Sequence, residues 1–288
     1  MGSNLRVVTL NFWGKEPPLD RRIALAVSQL AALAPDVICM QEVQAVDGKS
    51  TAHRIAEALG MHAHYGKSCA WELGEGGMKY AGEQGLAIVT RAPLLETHNT
   101  VLPDARPADC RTLLSGLVAT DADPVWVHTT HLHYRLDDGV AREKQVVAID
   151  DFIRSLGRTA TTAPHILCGD MNATPDSDEM RYLRGLTTLD GRRTHFQDAW
   201  LRHHRECWAG DGPEQGITWS SENELTRPLR SLDIDRRIDY VYVTSRKKDG
   251  RATIHDCRVV LTERDEGICA SDHYGVMADV QVVPSSAT

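Results

Sequence analysis

Apolar residues fall into two alternating rhythms along this chain, short continuous runs and longer stretches of 3.6-residue period, which predicts strands and helices in turn. Leu5-Arg6-Val7-Val8-Thr9-Leu10 is the first run, and it ends at Asn11. Gly14, Pro17 and Pro18 then impose a loop. Asp20 is placed to cap a helix in which Ile23, Val27, Leu30 and Ala34 share a face, and Pro35 stops it before a buried strand over 36–40. That strand delivers Gln41-Glu42. A helix is predicted over 51–59. From Gly60 to Gly85 seven glycines interrupt any period, so this stretch reads as a long surface excursion beside a strand, which resumes over 86–90.

Two strands are predicted over 112–120 and 125–130, joined by the turn Asp121-Ala122-Asp123-Pro124, and the second runs into His131. Residues 138–156 form a long amphipathic helix. A short apolar strand over 165–168 stops at Gly169-Asp170, and Pro175-Asp176-Ser177 opens another helix. Residues 201–235 are polar and read as loop, 237–244 and 274–283 as strands, and 284–288 as a disordered tail. Strands and helices alternate without a Ser/Pro-rich linker or a repeat of fixed period, which predicts one α/β domain over residues 1–288.

Composition narrows the class. With 288 residues and 42% hydrophobic content, a core can form without disulfide staples. The seven cysteines make no C-x-x-C pair, and several lie inside apolar runs; they read as reduced thiols of a cytoplasmic protein. Residues 1–6 carry no apolar secretory run, and no stretch is long and apolar enough to span a membrane. The formal charge of −8 argues against broad electrostatic binding to duplex nucleic acid, although a local basic pocket is compatible with it. Nothing in the pattern specifies an oligomeric state.

Polar residues concentrate at predicted strand ends: Asn11, Glu42, His131, Asp170, Asn172 and Asp272-His273. Neighbouring strands converge their ends on one crevice, so such a set can assemble a site. Any one of these residues alone would more simply be a turn former or helix cap.

Six motifs carry a resemblance. They are Thr9-Leu10-Asn11, Met40-Gln41-Glu42-Val43, Thr129-Thr130-His131-Leu132, Cys168-Gly169-Asp170-Met171-Asn172, Arg237-Ile238-Asp239-Tyr240-Val241 and Ser271-Asp272-His273-Tyr274-Gly275-Val276. In this order they resemble the endonuclease/exonuclease/phosphatase superfamily, the group with the pancreatic-deoxyribonuclease-like fold, in a bacterial-type form. The resemblance implies a four-layer α/β sandwich, two mixed β-sheets packed face to face and flanked by helices. It implies Glu42 as principal ligand of a Mg²⁺ or Mn²⁺ ion, with Asn11 and Asp272 contacting the ion directly or through water; hard oxygen donors suit those metals. Asp170 would orient or deprotonate the attacking water, with Asn172 holding it. His273, oriented by Asp239, and His131 would stabilise phosphoryl charge.

Each role has a structural rival. His131 could cap a strand, and Asp239 could pair with Arg237. His128, His133, His203 and His204 read as surface residues, and no histidine pair has the spacing of a zinc site. Arg111 could reach a substrate phosphate or brace the site. Tyr134, Trp13, Trp71 and Trp219 are candidates for a substrate wall or ordinary core aromatics. Ile217-Thr218-Trp219 with Asn223 resembles a loop beside the active site of family members. The glycine-rich segment 74–85 could be a lid or a surface insert. The first functional expectation is a metal-dependent phosphoesterase that hydrolyses a small phosphodiester or phosphomonoester by direct attack of water. A nuclease acting on DNA or RNA is the second, and a catalytically silent binding domain the third.

Overall fold

A computed structural model describes all residues except 1–2, 47, 76–77, 104–109, 158–162, 205–214, 227–233 and 285–288, and the side chains of 71–81. The chain opens with strand β1 (Ser3–Asn11), helix α1 (Leu19–Leu33) and strand β2 (Val37–Val46). Because β1 and β2 are parallel, a crossover must join them, and α1 is that crossover. After β3 (Lys49–Ser50) and α2 (Thr51–Leu59) come two long antiparallel strands, β4 (His62–Glu75) and β5 (Met78–Thr90). Strands β6 (Glu96–Val101), β7 (Thr112–Val118) and β8 (Val125–His131) follow. The βαβ arrangement then recurs, with α3 (Gly139–Gly157) carrying the chain from β8 to the parallel β9 (His165–Asp170). Helix α4 (Asp178–Leu183), β10 (Phe196–Asp198), α5 (Ala199–His203), β11 (Asp239–Thr244), β12 (Ile254–Val260) and β13 (Gly275–Val282) complete the described elements.

One sheet has the order β12-β13-β1-β2-β5-β4 with β3 on β2, and the other β10-β11-β9-β8-β7-β6. Each is mixed, with its parallel pair near the middle. Side-chain alternation sorts the layers. Val7, Val37, Cys39 and Ile88 of the first sheet meet Leu114, Val127, Ile166, Cys168 and Val241 of the second in the central core. The intervening residues Val8, Ile38, Met40 and Ala87 point outward against Ile23, Ala26 and Leu30 of α1 and Ala52 and Ile55 of α2. On the far side Leu113, Leu167, Tyr240 and Tyr242 pack on Val146 and Ile149 of α3 and Met180 and Leu183 of α4. Helices therefore cover both outer faces, as the four-layer expectation requires.

Several local expectations are corrected. Pro18, not Asp20, occupies the start of α1, with no side-chain cap; Asp20 sits in the first turn, where its charge still suits the positive helix end. The stretch 60–85 is no surface loop but most of the β4–β5 ribbon, paired from His62↔Thr90 to Glu75↔Met78. Backbone pairing of this kind demands no apolar period, which is why the pattern concealed it. Strands β6, β10 and β12 had no legible run. Within 201–235, read as loop, α5 ends at His203 and a short 3-10 turn spans Glu224–Thr226. The tail, apart from Pro284, lies outside the described residues. Among those residues no helix is long and apolar enough to cross a membrane.

Candidate active site

The strand alternation that builds the central core also aims the site. Val7, Thr9 and Asn11 share a face of β1; Val127, Thr129 and His131 share one of β8; Ile166, Cys168 and Asp170 share one of β9. At the ends of these strands the inward positions turn from apolar to polar. The register places His131 beside Asp170, and Asp239 across from Asp170 on the other flank.

Glu42 breaks that parity. Between Met40 and Val43 the β2–β5 register slips by one residue, and Glu42 adopts a left-handed φ of 51°. A bulge of this kind re-aims one side chain, and it turns Glu42 back toward the cleft. There Asn11 Nδ2 donates to Glu42 Oε1 and to Asp170 Oδ2, each at 3.0 Å. Gln41, buried beside it, donates to Thr129 Oγ1 at 2.8 Å and so pins β2 to β8 across the two sheets.

Gly169 permits the close approach that Asp170 needs. Its φ is 149°, and a Cβ there would stand 2.0 Å from the Thr130 carbonyl oxygen. Asp170 is buried, accepts from the Asn172 amide at 2.8 Å, and lies 3.4 Å from His131 Nε2 and 3.9 Å from His273 Nε2. Burial, then the nearby Asp239, push its pKa up to about 7. Asn172, itself at φ 49°, donates to the Leu132 carbonyl.

His273 Nδ1 lies 2.9 Å from Asp239 Oδ2. Burial opposes charge on this ring, but Asp239, Asp272 and Asp170 together hold its pKa well above the ordinary value. His131 is the opposite case: burial, then Arg111 and His273, hold it well below. The two rings are therefore biased in opposite directions, His273 toward the charged form and His131 toward the neutral one. The expected rival pairing of Asp239 with Arg237 does not occur, because Arg237 forks onto Asp198 at 3.0 and 2.9 Å.

The remaining candidates divide. Arg111 reaches toward the His131 carbonyl and lies over the exposed Tyr134 ring at 5.8 Å. With Glu42, Ser68, Gln84 and His131 they line a pocket of about 220 Å³. Trp219 is buried, its backbone bridging both Arg236 and His273 and its ring beneath the Arg236 guanidinium. Asn223 donates to the Ser271 and Asp272 carbonyls, so its loop does border the site. The Trp71 side chain lies outside the described residues. His128 and His133, expected at the surface, are buried, His128 between Ser115 and His165 and His133 beside Asp138; His203 is exposed and His204 half-buried.

The oxygen donors of Glu42, Asp272 and Asn11 fit a hard divalent ion. Burial, with Glu42 adding to it, pushes the Asp272 pKa up to about 6, the mark of carboxylates gathered where a cation would relieve them. Ligand-type atoms of Asp170, Asp239 and His273 also lie within 4.8 Å of one another. Since Asp239 already binds His273 and keeps it charged, that trio is better suited to handling protons. Sequence reasoning missed Arg22, a fully buried cation behind Glu42 and Asp272. Its signal was a charge placed among the apolar positions of α1.

Carboxylates and imidazoles gather at the open edge of a two-sheet sandwich. Residues 8–273 match the model of the Endonuclease/Exonuclease/phosphatase family, and the chain belongs to that family, whose members are hydrolases. A Drosophila melanogaster protein named "Putative neutral sphingomyelinase" is 28% identical over 301 residues, covering 96% of this chain and 61% of that protein. This chain thus spans under two thirds of that relative's length. The human nocturnin catalytic domain with bound sulfate has a TM-score of 0.71 at 17% identity, covering 97% of this chain and 95% of that one. D. rerio TDP2 complexed with a single-strand DNA product has a TM-score of 0.68 at 20% identity, covering 96% and 98%.

Proposed function

We propose that residues 1–288 form one catalytic domain that hydrolyses a phosphate ester of a small molecule by direct attack of water, with a divalent ion, Mg²⁺ or Mn²⁺, held by Glu42 and Asp272 beside Asn11. The observation that carries this reading is the setting of Asp170. It is a buried carboxylate with a pKa pushed up to about 7, tied by Asn11 to Glu42 and lying 3.9 Å from the His273 imidazolium.

In this reading the ionised Asp170 accepts a proton from water as the oxygen attacks phosphorus, while the ester oxygen leaves with the bonding pair. His273, kept charged by Asp239, faces the phosphoryl oxygens, where negative charge grows. His131, neutral, offers a hydrogen bond from the opposite flank, and Asn172 holds the water. The bound ion would supply Lewis-acid neutralisation of phosphoryl charge. No covalent intermediate is invoked.

The small substrate is supported by the 220 Å³ pocket beside Glu42 and by the formal charge of −8. Arg111 and Tyr134 line that pocket and are the proposed substrate contacts, with Trp219 backing the His273 turn. The name of the Drosophila relative favours a diester. The DNA product on D. rerio TDP2 supports a second reading, a nuclease. None of the six described cysteines forms a disulfide, which suits a cytoplasmic setting.

Hydrolysis of bis-p-nitrophenyl phosphate with Mg²⁺ or Mn²⁺, abolished by EDTA, is the expected result. Inactivity under all these conditions would leave a silent binding domain. Faster turnover of single- or double-stranded DNA than of small diesters, sphingomyelin headgroup analogues included, would select the nuclease.

A further inference from the structure

Arg22 stands in the first turn of α1, the end of a helix where a cation is electrostatically disfavoured. It is fully buried, and no carboxylate lies within ion-pair distance among the described residues. Such a position costs stability unless the charge is solvated by the protein. Here backbone carbonyls do that: Nε donates to Ala270 O at 3.1 Å, Nη1 to Glu16 O at 2.6 Å, and Nη2 to Phe12 O. The rings of Phe12 and Trp13 lie 4.8 and 5.1 Å from the guanidinium carbon.

These carbonyls belong to two loops. Phe12 and Glu16 lie in the segment that leaves Asn11, and Ala270 comes two residues before Asp272. The same two loops touch once more through Ser271 Oγ, which donates to the Asn11 carbonyl at 2.6 Å. The loops are far apart in sequence, and Arg22 is the group that bonds to both ends of the first and to the second.

We infer that Arg22 is a positioning residue, a three-pronged clamp that fixes the Asn11 and Asp272 loops around Glu42 and thereby sets the affinity of the divalent-ion site. This rests on the proposed ion site. Two opposing effects follow from removing it. Loss of a nearby positive charge would tighten ion binding, whereas loss of three charge-assisted hydrogen bonds would loosen the ligand geometry. The hydrogen bonds win because they act at contact distance and are directional, and ion coordination tolerates little displacement.

The test is Mn²⁺ binding to the full chain, read as free Mn²⁺ by electron paramagnetic resonance, for the wild type, Arg22→Lys and Arg22→Met, with thermal melts alongside. We expect Arg22→Met to weaken binding at least ~10-fold. Arg22→Lys, which keeps the charge but cannot fork onto three carbonyls, should fall between. Activity at saturating Mn²⁺ should recover to within a few-fold of wild type. Unchanged or tighter binding in either variant overturns the clamp. If Arg22→Met does not fold, Arg22→Lys alone decides. Glu42→Ala serves as control: should it bind Mn²⁺ as the wild type does, the ion site itself is misplaced and the proposed function fails, independently of Arg22.

Discussion

Asp239 presents one carboxylate oxygen to His273 Nδ1 at 2.9 Å, while its other oxygen has no hydrogen-bond partner among the described residues. The side-chain hydrogen bonding of this buried group thus goes to one imidazole, while its charge also acts on Asp170. Asp239→Asn keeps the shape and removes the charge that holds His273 protonated. A fall in kcat of about 10–100-fold is expected, the scale for orienting partners of functional histidines. Steady-state kinetics on bis-p-nitrophenyl phosphate measure it, and an unimpaired rate would detach Asp239 from the chemistry.

Asp170→Ala and His273→Ala should each lower turnover at least ~100-fold, since one removes the proton acceptor and the other the charge facing the phosphoryl group. Folding is checked by circular dichroism. Retention of near-wild-type turnover by either variant refutes its assigned role.

The acid limb of the kcat/KM profile should follow Asp170. Only the ionised carboxylate accepts a proton, so the rate rises with pH, with a midpoint at or below about 7, because a bound cation can only lower that pKa. A limb falling with rising pH in this range would contradict a basic role.

Glu42→Ala should raise the Mn²⁺ concentration for half-maximal activity by at least ~10-fold, given that Glu42 is the carboxylate the β2 bulge directs into the cleft. A metal titration decides it; an unmoved curve places the ion elsewhere.

A stability prediction comes from the buried chain Ser115–His128–His165. Its links are 2.7 and 3.0 Å, and burial pushes His165 down to about 4 and His128 well below the ordinary value. Unfolded histidines take up protons below about 6.5, folded ones only much lower, so stability is full above 6.5 and falls as pH drops toward 4. His165 alone accounts for about 3 kcal/mol of that loss. Urea unfolding at pH 7 and pH 5 should show the drop, and His165→Asn should reduce it. Equal stability at both pH values would mean the pair is not held neutral.

Much of this site could be read from the sequence. Asn11, His131 and Asp170 stand at strand ends because apolar runs stop there, and Asp272-His273 stand just before one begins; such boundaries are visible in one dimension. The helices α1 and α3 were legible too, since burying one face imposes a 3.6-residue period. What the chain did not disclose is what distant backbone decides. Pairing of β4 with β5 needs no periodic side chains, the bulge that turns Glu42 inward is a register slip against β5, and His128 and Arg22 are buried by elements far away in sequence. Asp239 chose His273 over its near neighbour Arg237 only because Asp198 had already claimed the guanidinium, and that competition exists only once the sheets are packed.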